Sequence, residues 1–145
     1  MFSSRVDDKG RLKLPADVQR YLTDTQSTQV FITSFDGRIA RIYSIPEWEI
    51  AERLLESPAD DAVDGEDLYY RAQFYGGDAE IDGQGRLLMP ANLRRAMGIE
   101  NQPVQLAFFR GHIEVFSQAV HEQKLNRADN DSEEKLRKFV NRGLR

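Results

Sequence analysis

Val6-Asp7-Asp8-Lys9-Gly10-Arg11-Leu12-Lys13-Leu14-Pro15-Ala16 opens the chain, and the same frame returns 75 residues later as Ile81-Asp82-Gly83-Gln84-Gly85-Arg86-Leu87-Leu88-Met89-Pro90-Ala91. Followed to Arg20 and Arg95, the copies share seven identical positions: Asp7/Asp82, Gly10/Gly85, Arg11/Arg86, Leu12/Leu87, Pro15/Pro90, Ala16/Ala91 and Arg20/Arg95. A repeat at fixed offset decides the architecture before any single motif does. Each copy reads as strand, turn, strand, helix start. Asp at the first turn position and Gly at the fourth mark a type I turn, with Gly free to take positive φ. Such a turn makes a tight hairpin. In the strand that follows, Leu12 and Leu14 share one face while Arg11 and Lys13 point the other way. Pro15 then ends the strand and suits a first helical turn. Leu14, Val18 and Leu22 continue at helical spacing, as do Met89, Leu93 and Met97, with Gly98 as C-cap.

Outward from these stretches, each half repeats a second hairpin. Gln29–Phe35, the turn at Asp36-Gly37 and Arg38–Tyr43 form the first. Val104–Phe109, Arg110-Gly111 and His112–Phe116 form the second, with the offset slipping from 75 to 74. A helix is expected after each. Ser44-Ile45-Pro46-Glu47 fits a capping box with Trp48, Ala51 and Leu55 on one face. Ser117 caps a helix carrying Val120 and Leu125. Between the halves, Ser57 to Glu66 reads as an acidic, mobile linker and Asp67 to Tyr75 as a helix. Beyond Leu125 the chain turns polar, and Glu133 to Val140 reads as a weak, charged final helix.

Composition narrows the function. At 145 residues, 40% apolar and 10% aromatic, the chain can bury a real core. Absence of Cys excludes a disulfide framework, a thiolate metal site and a Cys nucleophile. No signal peptide and no membrane-length apolar run are evident, so a cytoplasmic protein without a membrane partner is expected. The net charge is -4, but Pro58 to Asp67 alone contributes five acids and no base, so the remainder carries +1. Arg5 to Lys13 holds four bases against two acids. Local field matters more than the total for binding a polyanion.

An enzyme is not expected. The only histidines are His112 and His121, and His112 takes the turn-flanking place of Arg38, where it reads as an exposed polar side chain. The acids of the linker lack the spacing of a calcium loop. No P-loop, dinucleotide fingerprint or serine elbow is present. No cofactor, metal or small-molecule substrate is therefore expected.

A basic reading of the repeat remains. Asp7 and Arg11 flank one turn, as do Asp82 and Arg86, and such surface pairs add little stability. Two arginines presented from twin hairpins on one face could enter a major groove as β-ribbon readers do. Arg reads guanine edges bidentately, while Lys9 and Lys13 would hold phosphates. The second copy is less basic, with Gln84 for Lys9 and Leu88 for Lys13. Tight binding would then need several subunits on several sites. The competing expectation is an antitoxin-like protein-binding module that docks through its acidic segment.

On Asp7-Asp8-Lys9-Gly10-Arg11 and Asp82-Gly83-Gln84-Gly85-Arg86, each followed by Leu and Pro, the sequence resembles the MraZ family. Ile45-Pro46-Glu47-Trp48-Glu49 and the opening Met1-Phe2 fit as well, and the resemblance runs in order to Leu125. It implies an α+β fold of two pseudo-symmetric AbrB/SpoVT-type swapped-hairpin half-domains forming a small β-barrel core, with flanking helices. The divisions would be 1–56, an acidic linker and helix over 57–76, 77–125, and a tail over 126–145. It also implies a DNA-binding transcriptional regulator, cytoplasmic and nucleoid-associated. That regulator would act as a homo-oligomeric ring on short repeated sites upstream of the cell-division and cell-wall gene cluster. Arg11 and Arg86 would be the main contacts to double-stranded DNA, Lys9 and Lys13 would support them, and Asp7 and Asp82 would orient the arginines. Only Ser3 to Val6 separate Met1-Phe2 from the first repeat, fewer residues than the family usually has, so a shortened first strand is expected.

Overall fold

Leu12 and Leu87, equivalent positions of the two copies, face each other directly across a pair of antiparallel strands. Both are fully buried. The computed structural model that shows this describes residues 1–57 and 60–145. The first half comprises β1 (Phe2–Arg5), β2 (Arg11–Lys13), α1 (Ala16–Leu22), β3 (Gln29–Thr33), β4 (Ile39–Ser44) and α2 (Ile45–Leu55). A helix α3 (Ala62–Tyr75) leads into the second: β5 (Gly77–Glu80), β6 (Arg86–Leu88), α4 (Ala91–Met97), β7 (Pro103–Phe109), β8 (His112–Ser117) and α5 (Gln118–Asp129). A short α6 (Ser132–Val140) follows. β1 and its repeat β5 are each four residues long.

The halves exchange partners. The larger sheet has the antiparallel order β1-β7-β8-β4-β3-β5, so β1 pairs with the second half's hairpin and β5 with the first half's. Its central pair joins the equivalent strands β4 and β8, with Ala40 opposite Val115 and Ile42 opposite Ile113. The smaller sheet joins the equivalent strands β2 and β6. A single pseudo-twofold relation thus organises both sheets. Two expectations need correction. The strands flanking each Asp-x-x-Gly turn do not form a hairpin with one another; β1 and β2 share only a bridge from Val6 to Leu12. Nor does the sheet close into a barrel: β1 and β5 are its edges, and β2 and β6 stand apart. Pro15 and Pro90 follow β2 and β6 closely. Lacking an N–H, each proline removes a ladder donor just beyond a three-residue strand.

One core serves both halves. Leu14, Val18 and Leu22 meet Met89 and Leu93 beneath the ribbon, and Val30, Ile32, Leu106 and Ile113 cover them from the sheet. The helical spacing read from sequence is therefore the buried face, with Met97 at its margin. Gly98 caps α4 at φ 62°, its N–H donating to the Arg94 carbonyl. A second, smaller cluster joins Trp48 of α2, Tyr43 and Ala72 of α3, with Phe31 stacked on Trp48 at 4.3 Å between centroids.

Three local readings change. Ser44 precedes α2 but makes no side-chain cap. It is buried, and Pro46 in the first turn already removes one orphan donor. Ser117 does cap α5, accepting from the Val120 N–H at 3.2 Å. Ala62 to Glu66 is helical rather than linker. Acids in a first turn favour the helix through its dipole. Gly65 sits so near α2 that a Cβ there would lie 2.3 Å from the Leu55 carbonyl oxygen. Pro58 and Ala59, the rest of the expected linker's start, lie outside the described residues. α5 continues to Asp129, well into the stretch read as polar tail. No helix among the described residues is long and apolar enough to cross a membrane.

This packing predicts an asymmetry between neighbouring leucines. Leu12→Ala or Leu87→Ala should cost about 2–5 kcal/mol in urea unfolding, as cavity-forming core truncations do. Leu88→Ala, on the exposed face of the same ribbon, should stay within about 0.5 kcal/mol. Equal losses at Leu87 and Leu88 would contradict the assigned faces.

Candidate nucleic-acid interface

Each turn is built by its aspartate. Asp7 Oδ1 accepts from the backbone N–H of Lys9 at 3.0 Å and of Arg11 at 2.8 Å, while Oδ2 accepts from Arg11 Nε at 2.8 Å. Asp82 repeats the pattern with Gln84 N–H, Arg86 N–H and Arg86 Nε, each at 2.9 Å. The Gly10 and Gly85 N–H groups donate back to the carbonyls of Asp7 and Asp82. Their φ values of 83° and 73° lie in the left-handed region that glycine occupies without strain. The turns read from sequence are thus present in both copies.

Each turn is also locked to the other half. The Gly10 carbonyl accepts from the Met89 N–H at 3.0 Å, and the Gly85 carbonyl from the Leu14 N–H at 2.9 Å. These two bonds prolong the β2–β6 ladder at both ends. Over each turn lies a helix side chain from the opposite copy: Arg94 of α4 over Gly10, and Gln19 of α1 over Gly85. Arg94 is fixed by Met89's carbonyl at 2.6 Å and Glu100 at 3.0 Å, and Gln19 by Leu14's carbonyl at 2.8 Å. Sequence reading passed over Gln19 and Arg94. They occupy equivalent positions but differ in type, so a search for identities skips them; the shared register is the signal that could have found them.

The ribbon register sets the chemistry. Arg11 lies opposite Leu88, Leu12 opposite Leu87, and Lys13 opposite Arg86. Directly opposed residues share a face, and faces alternate along a strand. Leu12 and Leu87 therefore point into the core, and Arg11, Lys13, Arg86 and Leu88 form one outward face. The arginine side chains are 31% and 26% exposed, neither buried nor free to wander. Each is tethered through Nε alone, so both terminal amino groups lack a protein partner among the described residues. Lys13 and Lys9 are exposed; Lys13 reaches across the ribbon to donate to the Gln84 carbonyl, and Lys9 stands at the corner of the first turn. Arg11, Arg86 and Lys13 are thus brought together, with Lys9 beside them. Leu88 breaks the basic symmetry.

His112 is a correction. Expected to be exposed, it is only 3% exposed. Its ring packs by Tyr43 and Phe109, with Nε2 3.2 Å from Glu114 and Nδ1 3.2 Å from the Arg110 carbonyl. Aromatic neighbours supplied by β4 and by the end of β7 cover it, and neither was visible from its place beside a turn.

The Asp7 carboxyl is held below its ordinary pKa, chiefly by the Arg11 backbone N–H and further by the Arg11 guanidinium and the Lys9 N–H. Asp82 is lowered in the same way, first by the Arg86 backbone N–H. A lowered folded-state pKa stabilises the fold in full above the unfolded value, and that contribution is lost as pH falls through the folded value. Carboxyl NMR titration should therefore place both midpoints on the acid side of ordinary aspartate. Arg11 and Arg86 Nε–H protection should vanish over the same acid window, and at neutral pH in Asp7→Asn and Asp82→Asn. Midpoints at or above the ordinary value would contradict the turn geometry.

Known proteins share this frame. The family model described as "MraZ protein, putative antitoxin-like" matches residues 77–143, reaching past Leu125 through both C-terminal helices. The protein named transcriptional regulator MraZ from Acidobacterium capsulatum is 36% identical over 138 residues, covering 94% of this chain and 94% of its own length. Its namesake from Koribacter versatilis is 39% identical over 108 residues, 74% of each chain. That from an Acidovorax species is 30% identical over 125 residues, 84% of this chain and 83% of its own. The relatives extend the likeness across the first copy of the turn as well as the second, and this chain belongs to the MraZ family.

Proposed function

We propose that the protein is a sequence-specific DNA-binding transcriptional regulator, with Arg11 and Arg86 as the base-reading residues and Lys13 and Lys9 as phosphate contacts. The observation that carries this reading is the shared outward face of the β2–β6 ribbon. There both guanidinium groups are oriented by an aspartate through Nε, leaving their terminal nitrogens to serve as the two-pronged donor that guanine accepts. Two-stranded ribbons of this kind fit a major groove. The relatives' name, transcriptional regulator, supports the same role.

Few cations line this face, so one copy alone would bind weakly and with a shallow salt dependence. A homo-oligomeric ring engaging several short repeated sites upstream of the cell-division and cell-wall gene cluster would gain by linkage. In this reading the protein is cytoplasmic and nucleoid-associated, is not an enzyme and needs no cofactor. The exchange of β1 and β5 between halves supports reading 1–56 and 77–125 as AbrB-type swapped-hairpin half-domains, with 57–76 joining them and 126–145 as a tail. The antitoxin-like alternative rests on the acidic segment.

The test is binding of repeat-bearing DNA against scrambled DNA at fixed salt. Each guanine-reading Arg is worth about 1–3 kcal/mol, so Arg11→Ala/Arg86→Ala should lose at least about 30-fold in specific affinity. Lys9→Ala should weaken both DNAs alike and lower the salt slope by about 1. A folded double variant with unchanged mass and unchanged specific binding would overturn the proposal.

A further inference from the structure

The C-terminal helix α6 is built to be covered. Leu136, Phe139 and Val140 stand at i, i+3 and i+4, one face of a helix, and are 56%, 53% and 50% exposed. No residue of α6 is buried. From Lys135 to Arg145 the chain carries five bases (Lys135, Arg137, Lys138, Arg142 and Arg145) and no acid. This is an amphipathic helix with a cationic flank.

The complementary surface lies elsewhere on the same chain. Where α2 meets the start of α3, Leu54, Leu55 and Leu68 line an open groove whose rim carries Asp61 and Asp64. Leu54 is 75% exposed and Leu68 39%. Gly65 forms part of the groove wall, and its missing side chain keeps α2 and α3 close together. Asp60 to Asp67 contributes five acids and no base. The first turn of α6 adds Glu133 and Glu134, with Glu134 3.9 Å from Lys138, and the rest of the helix and the chain beyond it are cationic where the groove segment is acidic.

We propose that α6 of one copy docks in the α2–α3 groove of a neighbouring copy. Leu136, Phe139 and Val140 enter between Leu54, Leu55 and Leu68, and Arg137 and Lys138 approach Asp61 and Asp64. This is helix-in-groove recognition, anchored at i, i+3 and i+4. Donor helix and acceptor groove are different patches, so the contact is heterologous, and repeated head to tail it closes into a ring when the rotation permits. The inference rests on the oligomeric part of the proposed function and not on the DNA contact. It gives the acidic segment a role that a DNA-binding face does not.

Light-scattering mass of the full chain, as a function of concentration, tests it. Arg137→Glu/Lys138→Glu and, separately, Asp61→Lys/Asp64→Lys should each raise the concentration at which the assembly half-dissociates by about tenfold. Phe139→Ser should do the same without a charge change. Added salt should weaken the wild-type contact, and the two reversals combined in one chain should restore assembly. Circular dichroism checks that each variant is folded. An assembled wild type whose mass ignores all three variants, or a combined chain that fails to recover, overturns this interface alone. Helices docking within their own chain would change stability without changing mass, and would also overturn it. A wild type that is monomeric throughout overturns the oligomeric reading itself, while the DNA-binding comparison of the arginine variants stands separately.

Discussion

Pairing of β2 with β6, equivalent strands from two copies of one motif, sets both the core and the display of charge. It places Leu12 against Leu87 at the centre of the core. It lets each turn's glycine carbonyl receive an amide from the other half. In the same arrangement β1 and β5 pair with the other half's hairpin rather than their own. Neither half retains a complete sheet of its own, so the two are expected to gain stability together. The same pairing decides where charge is displayed. Because faces alternate along a strand, burying the two leucines turns Arg11 and Arg86 outward on one face, diagonally across the ribbon.

Aspartate does two tasks with two oxygens. One holds the backbone of the turn, and the other holds the arginine. A glutamate would place its carboxylate one methylene too far for the local backbone bonds, and an asparagine would lose the charged acceptor. Pre-setting a long side chain in this way reduces the rotamer freedom it must lose on binding. The halves are not equal, however. Lys13 faces Arg86 while Leu88 faces Arg11, and Lys9 is matched by Gln84. The interface is a near-symmetric frame with its cations weighted towards the first copy.

Much of this was legible in the chain. The doubled Asp-x-x-Gly-Arg gave the turns, and period-two alternation gave the faces of β2. The 3.6 spacing of Leu14, Val18 and Leu22 gave the buried side of α1. All of these are local rules acting on neighbouring residues. What escaped was decided over distance. Nothing in β1 says that its ladder runs to β7 rather than β2, because an unpaired edge accepts any strand of suitable register. Gly65 and the acids around it resemble linker chemistry, yet the glycine marks a close helix approach and the acids lie at a helix N-terminus. His112 looked like a solvated turn residue until Tyr43 and Phe109 were placed against it. Gln19 and Arg94 differ in type, and only the fold shows that they do the same thing.

In the proposed mode of binding, the outward face of the β2–β6 ribbon meets the double helix. Leu88 lies on that face, directly across from Arg11 and 58% exposed. A photo-crosslinking benzoylphenylalanine in place of Leu88 reports on this face directly, with one in place of Tyr70 on α3, 75% exposed, as the control. A ribbon seated on DNA gives efficient crosslinking to repeat-bearing DNA from position 88 and little from position 70. Crosslinking from position 70 with none from position 88, in a folded protein that still binds DNA, would contradict it.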